Sequence, residues 1–162
     1  MKAFDNYIAI DPDTQKSGVA FIESATRKLE VDALTFTKLT DYLKWAKQVS
    51  TESGQTVLIA VEAGWLNNIS NYHTAADRRG QRIAKNVGAN HAVGKLIVET
   101  ARSIGLEVIE QKPLRKVWRN GKISMEELNN LLMSKKMGKL DRRKNQDCRD
   151  AVLIALYVSG IL

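Results

Sequence analysis

Tyr7-Ile8-Ala9-Ile10-Asp11-Pro12-Asp13-Thr14-Gln15-Lys16-Ser17-Gly18-Val19-Ala20-Phe21-Ile22 is the stretch on which the reading of the fold turns. Tyr7–Ile10 is apolar on both faces, the pattern of a central strand covered on both sides. It runs directly into an acid. Asp11-Pro12-Asp13-Thr14 has turn chemistry, with Pro12 fixing one backbone angle, and Ser17–Ile22 reads as the return strand of a hairpin. An acid at the end of a central strand is costly unless something cationic meets it. Two carboxylates about 4 Å apart repel by roughly 4 kcal/mol at moderate effective dielectric. Several acids gathered there therefore point to a metal site or a proton relay.

Working outward, residues 24–28 are polar turn material and Leu29–Phe36 alternates well enough for a third strand, so the opening reads as a meander of three antiparallel strands. Residues 38–53 form a helix with Leu39, Tyr42, Leu43, Ala46 and Val49 on one face, ended by Gly54. Trp45 falls between positions of that stripe and reads as structural. Thr56–Val61 is a buried strand that again ends on an acid, Glu62. Residues 63–82 show no sustained period, and a loop of that length in a compact domain tends to be functional. From about Val87 a helix carries Val93, Leu96, Ile97, Thr100, Ala101 and Ile104 on one stripe. Gly105 stops it and Leu106–Ile109 is a fifth strand. Residues 56–109 thus make a strand–helix–strand unit with a parallel pair and a right-handed crossover.

Ser124 and Glu127 form a capping box that opens a short helix through about Met133. Residues 134–146 are basic and poorly patterned, the composition of a mobile loop. The last helix begins at Gln146 or Asp147, is apolar through Val158, and must be buried against the sheet. The expected architecture is a single α/β domain over residues 1–162, with three meander strands plus two parallel strands flanked by helices.

The chain has 162 residues, a length that buries a substantial core. The start of the chain turns acidic before any apolar region and no apolar run approaches the length of a membrane span, so no leader and no membrane insertion are expected. The single cysteine, Cys148, excludes an internal disulfide and fits a reducing compartment, so a cytoplasmic location is expected. Formal net charge is +7, and it is unevenly spread. Residues 1–62 hold 7 Lys/Arg against 9 Asp/Glu, whereas residues 63–162 hold 18 against 9. The excess clusters at Arg78, Arg79, Arg82 and Lys85; at Lys112, Arg115, Lys116, Arg119 and Lys122; and at Lys135, Lys136, Lys139, Arg142, Arg143 and Lys144. One such run is ordinary solvated surface; three on one small domain favour a polyanionic partner, most simply nucleic acid.

Parallel neighbours would place Asp11 and Glu62 side by side at the end of the sheet where open α/β sheets bind ligands. Asp147 and Asp150, three apart in the first turns of the last helix, point the same way. Each acid alone has an ordinary reading as a turn or helix-terminal residue; together they point to a site. His73 and His91 have no partner at metal-ligand spacing and read as structural or surface groups. Cys148 reads as packing, and Gly88 and Gly94 as close approaches of helix to sheet.

The pattern Ile10-Asp11-Pro12-x-Thr14-x-x-Ser17-Gly18, then Val61-Glu62-x-x-Trp65, then Asp147-x-x-Asp150-Ala151-x-x-Ile154-Ala155 resembles the RuvC family of Holliday-junction resolvases, within the RNase H-like nucleases. The resemblance spans nearly the whole chain, and the Asp-x-x-Asp-Ala opening of an apolar helix is its most specific part. It implies that Asp11, Glu62, Asp147 and Asp150 are catalytic acids binding two Mg²⁺ ions, with Mn²⁺ as a substitute. It implies cleavage of four-way DNA junctions to 5′-phosphate and 3′-hydroxyl ends, by a homodimer. Trp65 matches an aromatic proposed to stack at the junction centre and reads equally as packing of its loop, while Tyr72 in the same loop reads mainly as packing. Arg115, Lys116, Arg119 and Lys122 are candidates for the phosphate-contacting residues before the last helices, joined by Arg78, Arg79, Arg82 and Lys85. Trp118, amid these cations, fits either packing or stacking. The family has Gly where this chain has Asp13. Three rivals remain: an RNase H-like nuclease processing structured RNA such as ribosomal RNA precursors, a nucleic-acid-binding module of the same fold without catalysis, and an ATP-binding protein of the actin and sugar-kinase type. The last needs a second copy of the domain, which this chain lacks.

Overall fold

The computed structural model describes residues 2–67, 78–115 and 117–162. The expectations for Lys116, Tyr72 and His73 fall outside these residues. The elements run β1 (Asn6–Asp11), β2 (Ser17–Glu23), β3 (Leu29–Leu34), α1 (Phe36–Ser53), β4 (Val57–Glu62), α2 (Arg78–Ser103), β5 (Glu107–Gln111), α3 (Met125–Ser134) and α4 (Gln146–Val158). The strands form one mixed sheet in the order β3-β2-β1-β4-β5. β1, β2 and β3 are antiparallel neighbours, while β4 runs parallel to β1 and β5 parallel to β4. This is the mixed five-stranded arrangement expected from the sequence: a three-strand antiparallel meander followed by two parallel crossover strands.

Strand alternation sorts the core into two layers. Tyr7, Ala9, Ala20, Ile22, Leu58 and Ala60 face the cluster built with α3 and α4. Ile8, Ile10, Val19, Ile59 and Val61 face the cluster built with α1 and α2. β1 and β4 are apolar on both faces because helices cover both, and α4 lies mainly across β2 and β1. No helix among the described residues is long and apolar enough to cross a membrane.

Local chemistry sets the helix ends. The Thr35 side chain accepts from the Lys38 backbone N–H to open α1, and Gly54, in the left-handed region, closes it. Both reciprocal bonds of the Ser124/Glu127 capping box are present. Asn145, passed over in the sequence, caps α4 by accepting from the Cys148 N–H.

Several expectations change. α2 begins at Arg78, not near Val87, so Arg78, Arg79, Arg82 and Lys85 are helical. The early turns carry no apolar stripe because little covers them, and periodicity is silent where there is no burial. Leu96, expected on the buried stripe, is 52% exposed; Gly94, Ile97, Val98 and Ala101 form the seam instead. Val49 and Trp45 of α1 are likewise exposed, the latter stacked on Tyr42 with ring centroids 5.6 Å apart. β3 stops at Leu34, because Thr35 caps α1. Of the segment 134–146 expected to be a loop, Ser134 and Gln146 belong to helices, and the part between them is irregular but pinned. The Leu140 N–H donates to Asn129 Oδ1 (2.9 Å), and the Lys144 ammonium donates to the Val31 carbonyl (2.9 Å).

Candidate active site

The site begins with two strand ends. In the parallel β1/β4 pair, Ile10 is opposite Val61, and the next residues are Asp11 and Glu62. By alternation both share the face of Ala9 and Ala60, the side covered by α4. Both are half-buried.

Gly18 brings the third acid to them. It is the cross-strand partner of Asp11, and a methyl group on its Cα would sit 2.1 Å from the Asp147 carbonyl oxygen. No side chain fits there. The first turn of α4 therefore lies directly over the end of β2, with half-buried Asp147 beside the Asp11 strand end. A helix N-terminus is a favourable place for this negative charge. One turn deeper, Asp150 is 6% exposed and accepts a hydrogen bond from Gln146 Nε2 (2.9 Å). Arg149 in turn donates through Nη2 to Gln146 Oε1 (2.7 Å), through Nε to the Ile123 carbonyl (2.8 Å), and through Nη1 to the Lys144 carbonyl. Arg149 thereby fixes the amide of Gln146 with its NH₂ toward Asp150. Gln146 and Arg149 were not singled out in the sequence, although the four-residue spacing of Gln146 and Asp150 is a readable signal.

The charges at this end of the sheet are felt by Cys148. Its buried thiol is pushed above its ordinary value, by burial first and then by the negative fields of Asp147, Asp32 and Asp11, against the opposing effect of Lys144. A raised thiol in an apolar setting is a packing group, not a nucleophile. Each of Asp11, Glu62, Asp147 and Asp150 interacts with neighbouring groups. Their carboxylate oxygens are the hard donors that suit Mg²⁺ or Mn²⁺. Among the described residues, no three Asp, Glu, His or Cys side chains already stand together as an ion cage. The strand register and the Gly18 contact thus bring Asp11, Glu62 and the first turn of α4 to one end of the sheet.

Asp13, unexplained by the resemblance, has a local role. Its Oδ1 accepts from the backbone N–H of Gln15 (2.8 Å) and of Lys16 (3.3 Å), while its own N–H donates to the buried Ser17 Oγ (3.1 Å). A side-chain-capped turn replaces the conformational freedom that glycine would supply.

Trp65 sits in the short 3₁₀ turn Gly64–Leu66 just beyond Glu62. Its ring lies against Gly94 of α2, its indole N–H donates to Glu110 Oε1 (3.0 Å), and His91 meets it edge-on with centroids 6.0 Å apart. The ring is packed in this structure, and His91 is structural. Gly94 makes a close approach, to a side chain instead of the sheet; Gly88 makes none.

The candidate phosphate-binding residues that the structure describes lie on α2 and on the segment after β5. Asn90 Oδ1 accepts from the Thr14 N–H (3.2 Å), fixing the middle of α2 beside the β1–β2 turn. Arg78 lies roughly 18 Å further along the axis, at about 1.5 Å per residue. Arg78, Arg79, Arg82 and Lys85 are exposed on that projecting half, and Arg115, Arg119 and Lys122 are exposed on the segment leaving β5. Trp118 in that segment packs against the α3/α4 core.

No family model matches the chain, and no curated protein sequence matches it. Among solved structures, it is similar to T. thermophilus RuvC in complex with Holliday junction substrate. The identity is 14% and the TM-score 0.47, over 93% of this chain and 90% of that one. It is also similar to the yeast mitochondrial Holliday junction resolvase, at 8% identity and a TM-score of 0.37, over 94% of this chain and 78% of that one.

Proposed function

We propose that the chain is a metal-dependent endonuclease that resolves four-way DNA junctions. The observation that carries this reading is the convergence of Asp11, Glu62 and the first turn of α4 on one sheet end, in a chain with exposed cations on α2 and after β5. Asp11, Glu62, Asp147 and Asp150 would hold two Mg²⁺ ions, which when bound supply an activated water and charge stabilisation at the scissile phosphate. The rest is work for the chain itself. Gln146, held by Arg149, orients the Asp150 carboxylate. Asp13 keeps the β1–β2 turn tight so that Asp11 stays at the strand end. Arg78, Arg79, Arg82, Lys85, Arg115, Lys116, Arg119 and Lys122 bind the DNA backbone and place the phosphate against the acids.

The products carry 5′-phosphate and 3′-hydroxyl ends. A symmetric junction needs two cuts, so the working unit is a homodimer, with the outer face of α2 around exposed Leu96 as the candidate interface. The test is cleavage of a mobile four-way DNA junction with Mg²⁺, beside a structured RNA, with product ends mapped. Wild type should cut the junction, while Asp11→Asn and Glu62→Gln should bind it and lose at least about 100-fold in rate. Cleavage by both variants at the wild-type rate would sink the reading, and cutting of RNA alone would transfer it to the RNA-processing rival.

A further inference from the structure

We infer that one turn of α2, Asn90 to Gly94, is a shared clamp for both acid-bearing strand ends, and that Trp65 acts through it as a positioning residue. The inference rests on the nuclease reading for its consequence, but its geometry is independent of that reading.

The chain leaves β1 at Asp11 and β4 at Glu62, and both exits are seated on the same turn of α2. Asn90 accepts from the Thr14 N–H, three residues beyond Asp11. A methyl group on Gly64, two residues beyond Glu62, would lie 2.6 Å from His91 Nε2. A methyl on Gly94 would lie 2.5 Å from Trp65 Cζ3 and 3.1 Å from Cγ of Pro12. Gly94 is thus a common seat for the residue after Asp11 and for the ring three residues after Glu62. The ring is locked from its other end, because Trp65 Nε1 donates to Glu110, which also pairs with Arg102 of α2 at 3.4 Å. Asn90, His91 and Gly94 follow the spacing that keeps helix side chains on one face.

The two acids are adjacent through the β1/β4 register, and each is the last residue of its strand. Beyond Glu62 the Ala63 N–H still donates to the Gln111 carbonyl of β5 (2.7 Å), and the clamp adds restraint from the α2 side. Because both exits share Gly94, a disturbance on the Glu62 side passes to the Asp11 side through the Trp65–Pro12 seat.

The experiment measures hydrogen exchange at residues 13–17 and 63–67 in the free protein, then junction binding without Mg²⁺ and cleavage with it. The variants are Glu110→Ala, Glu110→Gln and Gly94→Ala. Glu110→Ala removes the acceptor that Trp65 and Arg102 share, and it should accelerate exchange in both segments, by about tenfold. It should lower the cleavage rate by about 10- to 100-fold, with junction affinity held within about twofold. Glu110→Gln, which keeps an acceptor, should restore most of both, and Gly94→Ala should reproduce the loss by displacing the ring. Exchange changes confined to 63–67 would overturn the shared clamp. Affinity falling as far as the rate would also overturn it, because Trp65 would then be a contact to DNA. Wild type that cleaves nothing would remove the nuclease reading, and the exchange experiment would still decide the clamp.

Discussion

At the scale of single residues, Asp11 and Asp13 stand two apart in one turn with different work. Asp13 spends its carboxylate on the backbone N–H groups of Gln15 and Lys16, whereas Asp11 sits beside Gly18 and the α4 turn. Asp13→Ala should therefore cost about 1 kcal/mol of stability in urea unfolding, the worth of a lost turn bond, and retain cleavage. Asp11→Asn should have the opposite profile. Gly18→Ala should be worse than either for folding. Its methyl would meet backbone, which cannot swing aside as a side chain can, so a loss of about 1–3 kcal/mol is expected from overpacking alone. A Gly18→Ala protein as stable as wild type would mean that α4 does not lie on β2 as described. The acids were legible in the sequence because each closes an apolar run or opens one. Gln146 had its four-residue spacing from Asp150 to mark it, but Arg149 had nothing, since a polar residue beside an acid looks the same whether or not it touches it.

At the scale of elements, helix starts divide by what marks them. α3 was readable to within a residue because its capping box is local chemistry. Ser124→Ala should lower stability by about 1 kcal/mol. The same box gives a pH signature. The Ser124 backbone N–H, then its side chain, hold the Glu127 carboxyl below its ordinary value of 4.5. A carboxyl depressed in the folded state contributes stability above its ordinary value and loses it as the pH falls through the folded one. Thermal midpoints of wild type and Glu127→Gln should therefore differ at pH 6 and draw together as the pH falls below 4.5. A difference unchanged across that range would remove Glu127 from the cap. The start of α2 was unreadable for the converse reason: exposed Arg78 to Lys85 lack the apolar rhythm that burial imposes. Leu96 misled because its spacing fits a buried stripe while the seam actually runs through Gly94, Ile97, Val98 and Ala101.

At the scale of the whole molecule, two separate elements, the first half of α2 and the segment leaving β5, each carry an exposed part of the charge excess of residues 63–162. If both lie along DNA, Arg79→Glu with Arg82→Glu should weaken junction binding regardless of base sequence. The slope of log affinity against log salt should fall by about 0.9 for each phosphate that these side chains no longer neutralise. An unchanged slope would take α2 off the DNA path.

The sequence by itself determined the five strands with their directions, the helices that cover them and the candidate acids. Strand alternation, helix periodicity and caps are local consequences of burial and backbone hydrogen bonding, and they leave their period in the chain. Only the tertiary structure decided which glycines are points of close approach, that Gln146 carries the hold of Arg149 to Asp150, and that Trp65 rests in a slot between Pro12, Gly94 and Glu110. Those facts depend on surfaces meeting across long sequence separations. A glycine under a helix end and a glycine in a loop are spelled with the same letter.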